Sequence, residues 1–301
     1  MRKIIIGLVI VVVLGVGAYF IFKGSPKSVD ITGNQNGATG TTETPGTPPV
    51  TGQNNGQEAI GKSAGGRDIL AYHYGTGAKE ILMVGGIHGG YEWNTALVAY
   101  EAMDYLKANP GVIPTSTKVT VIPVLNPDGL AKVVGATGKF SAADVNTSQT
   151  VQVSGRFNDN QVDLNRNFDC DWQTKAVWQT KTVSGGSAVF SEPEAQAIKT
   201  YIETNKPVAA LVWYSSAGGV FASNCHNGVL PETLTIANIY GKASGYKVYK
   251  SFNFYEITGD MVNWFAKMNI PAISVLRTDH TNTEWTKNEA GIKALLNNYA
   301  K

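Results

Sequence analysis

Apolar and polar positions divide the chain into three stretches. From Ile4 to Phe22 no residue is charged and most are Ile, Val or Leu, with Arg2 and Lys3 before the run and Lys23 after it. Nineteen such residues in a helix reach roughly 28 Å, close to a bilayer hydrocarbon core of about 30 Å. Residues 1–23 therefore read as an N-terminal membrane anchor, with Tyr19 and Phe20 at its outer end and Arg2 and Lys3 holding the short end inside. The alternative is a cleaved signal sequence, with Val16, Gly17 and Ala18 as the small-residue cleavage site. Both readings put the rest of the chain outside the cytoplasm: at the cell membrane through residues 4–22 if the segment is kept, secreted if it is cut. Residues 24–57 are Gly, Thr, Pro, Asn and Ser with almost no large apolar side chains. Such a segment cannot bury enough surface to offset its ordering entropy, so a disordered linker is expected, stiffened by the prolines between Thr41 and Pro49.

From residue 58 to 301 the periodicity of a folded domain returns. Glu80–Gly86, the β-branched Lys118–Leu125, Val208–Tyr214 and Pro271–Leu276 read as buried strands. Glu92–Lys107, Glu192–Thr204, Pro231–Ser244 and Glu289–Tyr299 read as helices, the second with Ser191 and Glu194 in the spacing of a capping box. Strands alternating with helices predict a three-layer α/β/α sandwich around a central sheet, whose site lies where strands end in loops.

Composition narrows the function classes. Apolar residues make up 43% and charged residues 16%, as in a protein with a real core, and the net charge of +2 comes with no basic cluster beyond the N-terminus. Nucleic acid is excluded as a partner on that ground. Cys170 and Cys225 are the two cysteines, far apart in sequence, which excludes a zinc ribbon or finger. Outside the cytoplasm two nearby thiols oxidise, and each follows a segment placed on the same rim, so a Cys170–Cys225 disulfide is expected.

The candidate chemistry sits in five fragments. Gly85-Gly86-Ile87-His88-Gly89-Gly90-Tyr91-Glu92 ends a strand in glycines and then offers an imidazole and a carboxylate, two good zinc ligands. Asn126-Pro127-Asp128-Gly129 reads as a turn. Arg156 precedes Val162-Asp163-Leu164-Asn165-Arg166-Asn167-Phe168, a polar run in which Arg166 offers a planar fork for a carboxylate. Phe190-Ser191-Glu192-Pro193-Glu194 opens a helix, and Tyr255 stands before Ile257-Thr258-Gly259-Asp260 and Trp264.

In this order the set resembles the zinc carboxypeptidase family, from Ile60-Gly61-Lys62-Ser63 to the C-terminal helix. The resemblance implies that His88 and Glu92 ligate zinc, that Arg156 polarises the scissile carbonyl, that Asn165 and Arg166 clamp the substrate's terminal carboxylate, and that Tyr255 closes over the substrate. It implies that Val262 lines the pocket for the terminal side chain, with Asp260 nearby leaving room for a basic one. The chain departs from the family in three places. Three residues, not two, separate His88 from Glu92. Where the third zinc ligand, a histidine, is expected after the strand ending at Tyr214 stands Ser215, and where the catalytic glutamate is expected stand Leu276 and Arg277. His226 or His280 offers a substitute ligand, and Glu284 a substitute base. Two functions remain: a membrane-tethered metallocarboxypeptidase that trims peptide C-termini, those of cell-wall peptides included, with a zinc-activated water, or a noncatalytic relative that binds peptides with a free C-terminus through Asn165, Arg166 and Tyr255.

Overall fold

A computed structural model describes residues 56–300. The expected anchor and nearly all of the expected linker lie outside the described residues, and among the described residues no helix is long and apolar enough to cross a membrane.

Eight strands make one mixed sheet: β1 (Gln57–Lys62), β2 (Asp68–Tyr74), β3 (Lys79–Val84), β4 (Thr117–Ile122), β7 (Ala209–Ser215), β8 (Gly219–Ala222), β9 (Lys247–Tyr249) and β10 (Ala272–Arg277), in the order β1-β2-β4-β3-β7-β10-β8-β9. The centre is parallel, β4 to β3 to β7 to β10, and antiparallel pairs flank it. The central strands are continuous apolar runs because both faces are covered. One face carries Leu82, Val84, Ala210, Val212 and Ala272, packed by α4 (Pro193–Asn205) and α6 (Met261–Lys267). The other carries Ile81, Met83, Leu211, Trp213 and Val275, packed by α1 (Trp93–Ala108), α5 (Pro231–Ser244) and α7 (Trp285–Asn298). This is the α/β/α sandwich expected from the sequence. Each such Leu, Ile, Val or Met side chain contributes about 1.5–3 kcal/mol by leaving water.

Several local expectations change. Asn126-Pro127-Asp128-Gly129 is the start of a helix, α2 (Pro127–Val134): the Asn126 Oδ1 accepts from the Gly129 N–H at 2.8 Å, and Pro127 fits the first turn because its missing donor is not needed there. The capping box at Ser191 is not formed. Glu192 takes the cap position and Pro193 begins the helix, while the Ser191 hydroxyl donates to the Glu192 carboxylate at 2.8 Å. The polar stretch after Phe168 contains a two-stranded hairpin, β5 (Lys175–Trp178) and β6 (Lys181–Ser184). A short helix α3 (Gln149–Ser154) precedes Arg156. Cys170 and Cys225 are joined in a disulfide with Cα atoms 6.1 Å apart, as expected.

Candidate functional site

After β3 the chain passes through α1 to β4 on one side, whereas β7 lies on the other side of β3. The order of strands reverses there, and the crevice beyond the ends of β3 and β7 is where open α/β sheets hold ligands. A cavity of about 290 Å³ opens at that point, with His88, Glu92, Arg156, Arg166, Tyr255 and Asp260 in its wall.

His88 lies four residues beyond the end of β3, and Gly89–Glu92 form one 3-10 turn that swings Glu92 back. Gly89 has φ +45°, and a Cβ on it would lie 2.7 Å from the Gly129 backbone, so this close turn admits only glycine. The extra residue between His88 and Glu92 is absorbed in the turn. The His88 Nδ1 ends 2.9 Å from the Glu92 Oε1, yet neither ring nitrogen has a hydrogen bond of good alignment, although the side chain is buried. Behind it, Asp163 is fully buried and faces the His88 Nε2 at 3.6 Å, while its other oxygen accepts from the Arg156 Nε at 2.8 Å. Burial would raise Asp163, but Arg156, His88 and Arg166 outweigh it and hold the carboxyl well below the usual range. Burial likewise opposes the Glu92 charge, and His88 and Arg156 overcome it, leaving Glu92 below its ordinary value. The Arg156 guanidinium also lies over the Trp178 ring, 4.4 Å from its centroid, so the β5–β6 hairpin helps fix it.

The far wall corrects the sequence reading of the third ligand position. β7 keeps its alternation through Ser215, so Tyr214 shares a face with Ala210 and Val212, and Ser215 turns to the opposite side. The Ser215 hydroxyl donates to the Asn94 Oδ1 at 2.9 Å, and its N–H donates to the Glu92 Oε2 at 2.9 Å. The residue that meets His88 is Tyr214, with ring centroids 5.7 Å apart and its hydroxyl 3.3 Å from the Asn165 Oδ1. Burial raises the Tyr214 phenol well above its ordinary value, so it stays protonated and is a poor metal donor. Leu276 is the register partner of Tyr214 on β10 and lines the same cavity. Arg277 points away from it, and its Nη2 donates to the Tyr214 carbonyl at 2.9 Å. Burial lowers Arg277 only to about 10, so it is a cation at neutral pH.

Asn165 and Arg166 sit in a 3-10 turn, Leu164–Arg166, opened by Asp163. The Arg166 Nε donates to the Val177 carbonyl at 3.0 Å and its Nη1 to the Asn165 carbonyl at 2.7 Å. Gly259, with φ +65°, packs so closely on the Arg166 backbone that a Cβ would lie 2.2 Å from its carbonyl oxygen. The chain at Asp260 is thereby brought to Asn165, whose Nδ2 donates to the Asp260 Oδ2 at 2.8 Å. Burial raises Asp260, with the Asn263 N–H and Arg166 offsetting only part of it. Tyr255 lies on the rim beside Phe252, with ring centroids 5.1 Å apart. Val262 is packed in the core and does not line the cavity, whereas Asp260 and Asn263 on either side of it do.

The two substitute histidines part company. His226 is exposed, pairs with Asp171 at 2.8 Å and is not in the cavity wall. His280 is in the wall, with its Nε2 3.3 Å from the Ser216 Oγ and its ring against Tyr91. Glu284 is held by Tyr246 and Lys287, each at 2.8 Å, outside the cavity. Among the described residues no third His, Cys, Asp or Glu donor converges with His88 and Glu92; the one group of three, Cys170, Cys225 and His226, has its sulfurs tied in the disulfide. Catalytic zinc takes three protein ligands and an open position. The residues present supply two, so they do not fit a catalytic zinc centre.

Two residues the sequence reading assigned no role are central here. Asp163 holds Arg156 by a hydrogen bond and faces His88, and its only local signal is its place two residues before Asn165. Tyr214 was visible as the last large residue of a strand, and counting the alternation one position further would have placed it in the wall.

Residues 56–293 match the family model described as "Zinc carboxypeptidase". A gamma-D-glutamyl-L-diamino acid endopeptidase 1 from Lysinibacillus sphaericus is 27% identical over 229 residues, 68% of this chain and 56% of that protein. The chain thus spans about half the length of that relative. A solved murein-tripeptide amidase from Escherichia coli O157 superposes with a TM-score of 0.55 at 19% identity, over 84% of this chain and 97% of that one. Carboxypeptidase A from Helicoverpa armigera superposes with a TM-score of 0.62 at 21% identity, over 81% and 68%. The two structural likenesses show a shared fold.

Proposed function

Because the chain belongs to the zinc carboxypeptidase family, we propose that it holds peptides by their free C-terminus at Asn165, Arg166 and Tyr255 without cleaving them, as an extracytoplasmic protein tethered through residues 4–22. One observation carries the reading: at the ends of neighbouring strands, a phenol and an isobutyl group, Tyr214 and Leu276, face the cavity where the family implies a zinc ligand and a general base. Arg156 and Arg166 remain, both buried, and a buried arginine fork suits a carboxylate. Tyr255 on the rim supplies a phenol that can close over what is bound. One sequence relative is an endopeptidase and one fold relative a murein-tripeptide amidase, which makes short cell-wall peptides the ligand class of this proposal.

A second reading, hydrolysis of the terminal residue in the family's manner, has one observation in its favour. The unpartnered ring nitrogens of His88 beside Glu92 are half of a metal site. It still requires a third donor and a base that the described residues do not bring together with His88 and Glu92.

Peptides with free and amidated C-termini, titrated calorimetrically with and without a chelator, test the proposal. Free termini bind, amides do not, chelator changes neither, and no residue is released. Arg166→Ala weakens the free peptides by about 1.5–3 kcal/mol, the scale of a hydrogen bond to a charged group, and leaves the amides unaffected. Equal binding of free and amidated peptides sinks both readings, and chelator-sensitive release of terminal residues establishes the second. Protease added to intact cells should free a fragment starting within residues 24–57; a domain protected until lysis contradicts the placement.

A further inference from the structure

Outside the cavity, beyond the carboxylate clamp, four donors of metal-binding type meet. A ligand atom of each of Cys170, Cys225 and His226 lies within 4.8 Å of the others. Asp171 completes the set: its Oδ1 is 2.8 Å from the His226 Nε2, and its Oδ2 is 3.8 Å from the Cys170 Sγ. Zinc bonds of about 2.0–2.3 Å at tetrahedral angles set neighbouring donors roughly 3.3–3.8 Å apart. Apart from the bonded sulfurs, the four side chains already stand near that spacing. Two adjacent pairs supply them, Cys170-Asp171 and Cys225-His226. Asp171 and His226 have φ +53° and +54°, a region that non-glycine residues seldom enter, and at these turns both side chains lie with the sulfurs.

More than the S–S bond holds the two pairs together. The Cys170 carbonyl accepts from the Gly259 N–H at 2.6 Å, and the Asn224 N–H donates to the Asn263 Oδ1 at 3.0 Å. Gly259 precedes α6 and Asn263 lies in its first turn, while Ala266 of the same helix packs against both cysteines. Opening the disulfide therefore leaves both thiols beside one helix. A disulfide by itself needs neither Asp171 nor His226, and an exposed ion pair between them contributes little. We propose that Cys170, Asp171, Cys225 and His226 form a redox-gated zinc(II) site that takes the place of the disulfide when it is reduced. A dithiol reductant delivers two electrons and two protons, which open the S–S bond to two thiols, and the reductant becomes a disulfide. Zinc then binds both sulfurs as thiolates, releasing the two thiol protons, and takes the imidazole and the carboxylate as third and fourth ligands. Two sulfurs, a nitrogen and an oxygen suit zinc, and four protein ligands make the site structural, with no position left for catalysis. Bound there, the metal ties the segment after Asn165 and Arg166 to the loop after β8, as the disulfide does. Peptide binding in the cavity is not required for it.

In the test, the purified full-length chain is reduced with dithiothreitol, freed of it without oxygen, and titrated with cobalt(II) and then zinc(II). One cobalt per chain should bind with a thiolate-to-cobalt band in the near ultraviolet and the visible bands of a tetrahedral site, and zinc should displace it. The oxidised chain should show neither. His226→Ala and Asp171→Ala, each a change at an exposed residue, should weaken cobalt binding at least about tenfold, the least that loss of a mere supporting partner costs. Cys170→Ala with Cys225→Ala should abolish the thiolate band. An unfolded chain also binds metal through free thiols, but without regard to His226 and Asp171, so circular dichroism and these two variants separate the cases. If reduction unfolds the chain, zinc should restore the folded spectrum. Reduced protein that takes no cobalt, that binds it equally well in either single variant, or that stays unfolded with zinc overturns the proposal.

Discussion

Tyr214 and Leu276 are register partners on two parallel strands, β7 and β10, and both face the cavity in front of His88. Neither offers an electron pair suited to zinc or to a proton at neutral pH. The carbonyl of Tyr214 is in turn held from behind by the buried Arg277. The metal prediction follows from this pair. Purified protein dialysed against buffer should retain well below one zinc per chain by elemental analysis. Tyr214→His supplies a third ligand, a second imidazole nitrogen opposite His88, and should raise retention towards one per chain. Stoichiometric zinc in the unaltered protein would show that the donors converge after all.

Asp163 is the keystone of the charge network, since it touches Arg156 and faces His88 from a fully buried position. Removing one member of a buried ion pair leaves the other uncompensated, at about 3–5 kcal/mol. Asp163→Ala should therefore lower unfolding free energy by that order in urea titrations and also weaken peptide binding. An effect under roughly 1 kcal/mol, the range of an exposed pair, would mean that water reaches Arg156.

Glu194 governs a separate pH effect. It is buried, its carboxylate accepts from the Ala64 N–H at 2.9 Å, and burial pushes its pKa up to about 7, with Asp128 adding to the rise. The unfolded value lies near 4.5, so between about pH 4.5 and 7 the folded state binds more protons. Its contribution to stability is present in full below that window and falls as pH rises through it, by on the order of 3 kcal/mol at most. Glu194→Gln removes the titration. Urea midpoints compared at pH 5 and pH 8 should show a smaller decline for this variant than for the parent, and identical slopes would rule Glu194 out as the source.

The Cys170–Cys225 bond closes a 55-residue separation between the segment after Asn165–Arg166 and the loop after β8. A loop of that size constrains the unfolded chain by about 4 kcal/mol in the entropy description. Reduction, or the double change Cys170→Ala with Cys225→Ala, should lower stability by roughly 2–4 kcal/mol in denaturant titrations. Loss of the carboxylate preference in the same variant would add a positioning effect on Asn165, which lies five residues before Cys170.

The sequence by itself determined the sandwich and the order of the motifs. Buried parallel strands must be apolar on both faces, so Ile81–Val84, Val119–Ile122 and Ala209–Trp213 announce themselves locally, and the helices declare theirs through spacing. It also brought His88, Glu92, Arg156, Asn165, Arg166 and Tyr255 into one list through a family resemblance, and the fold places all six in one cavity wall. Short strands such as β8 and the edge strand β9, and the polar β5–β6 hairpin, carry too few apolar positions to show a period. The tertiary structure alone decided which side chain meets His88. A strand's alternation is local, but whether the Tyr214 or the Ser215 side chain meets His88 depends on where β7 ends and on Asn94, more than a hundred residues away, accepting the Ser215 hydroxyl. The same holds for Asp163 between Arg156 and His88, and for Asp260 beside Asn165: ion pairs and hydrogen bonds between distant segments depend on distance in space, which residue spacing along the chain does not encode.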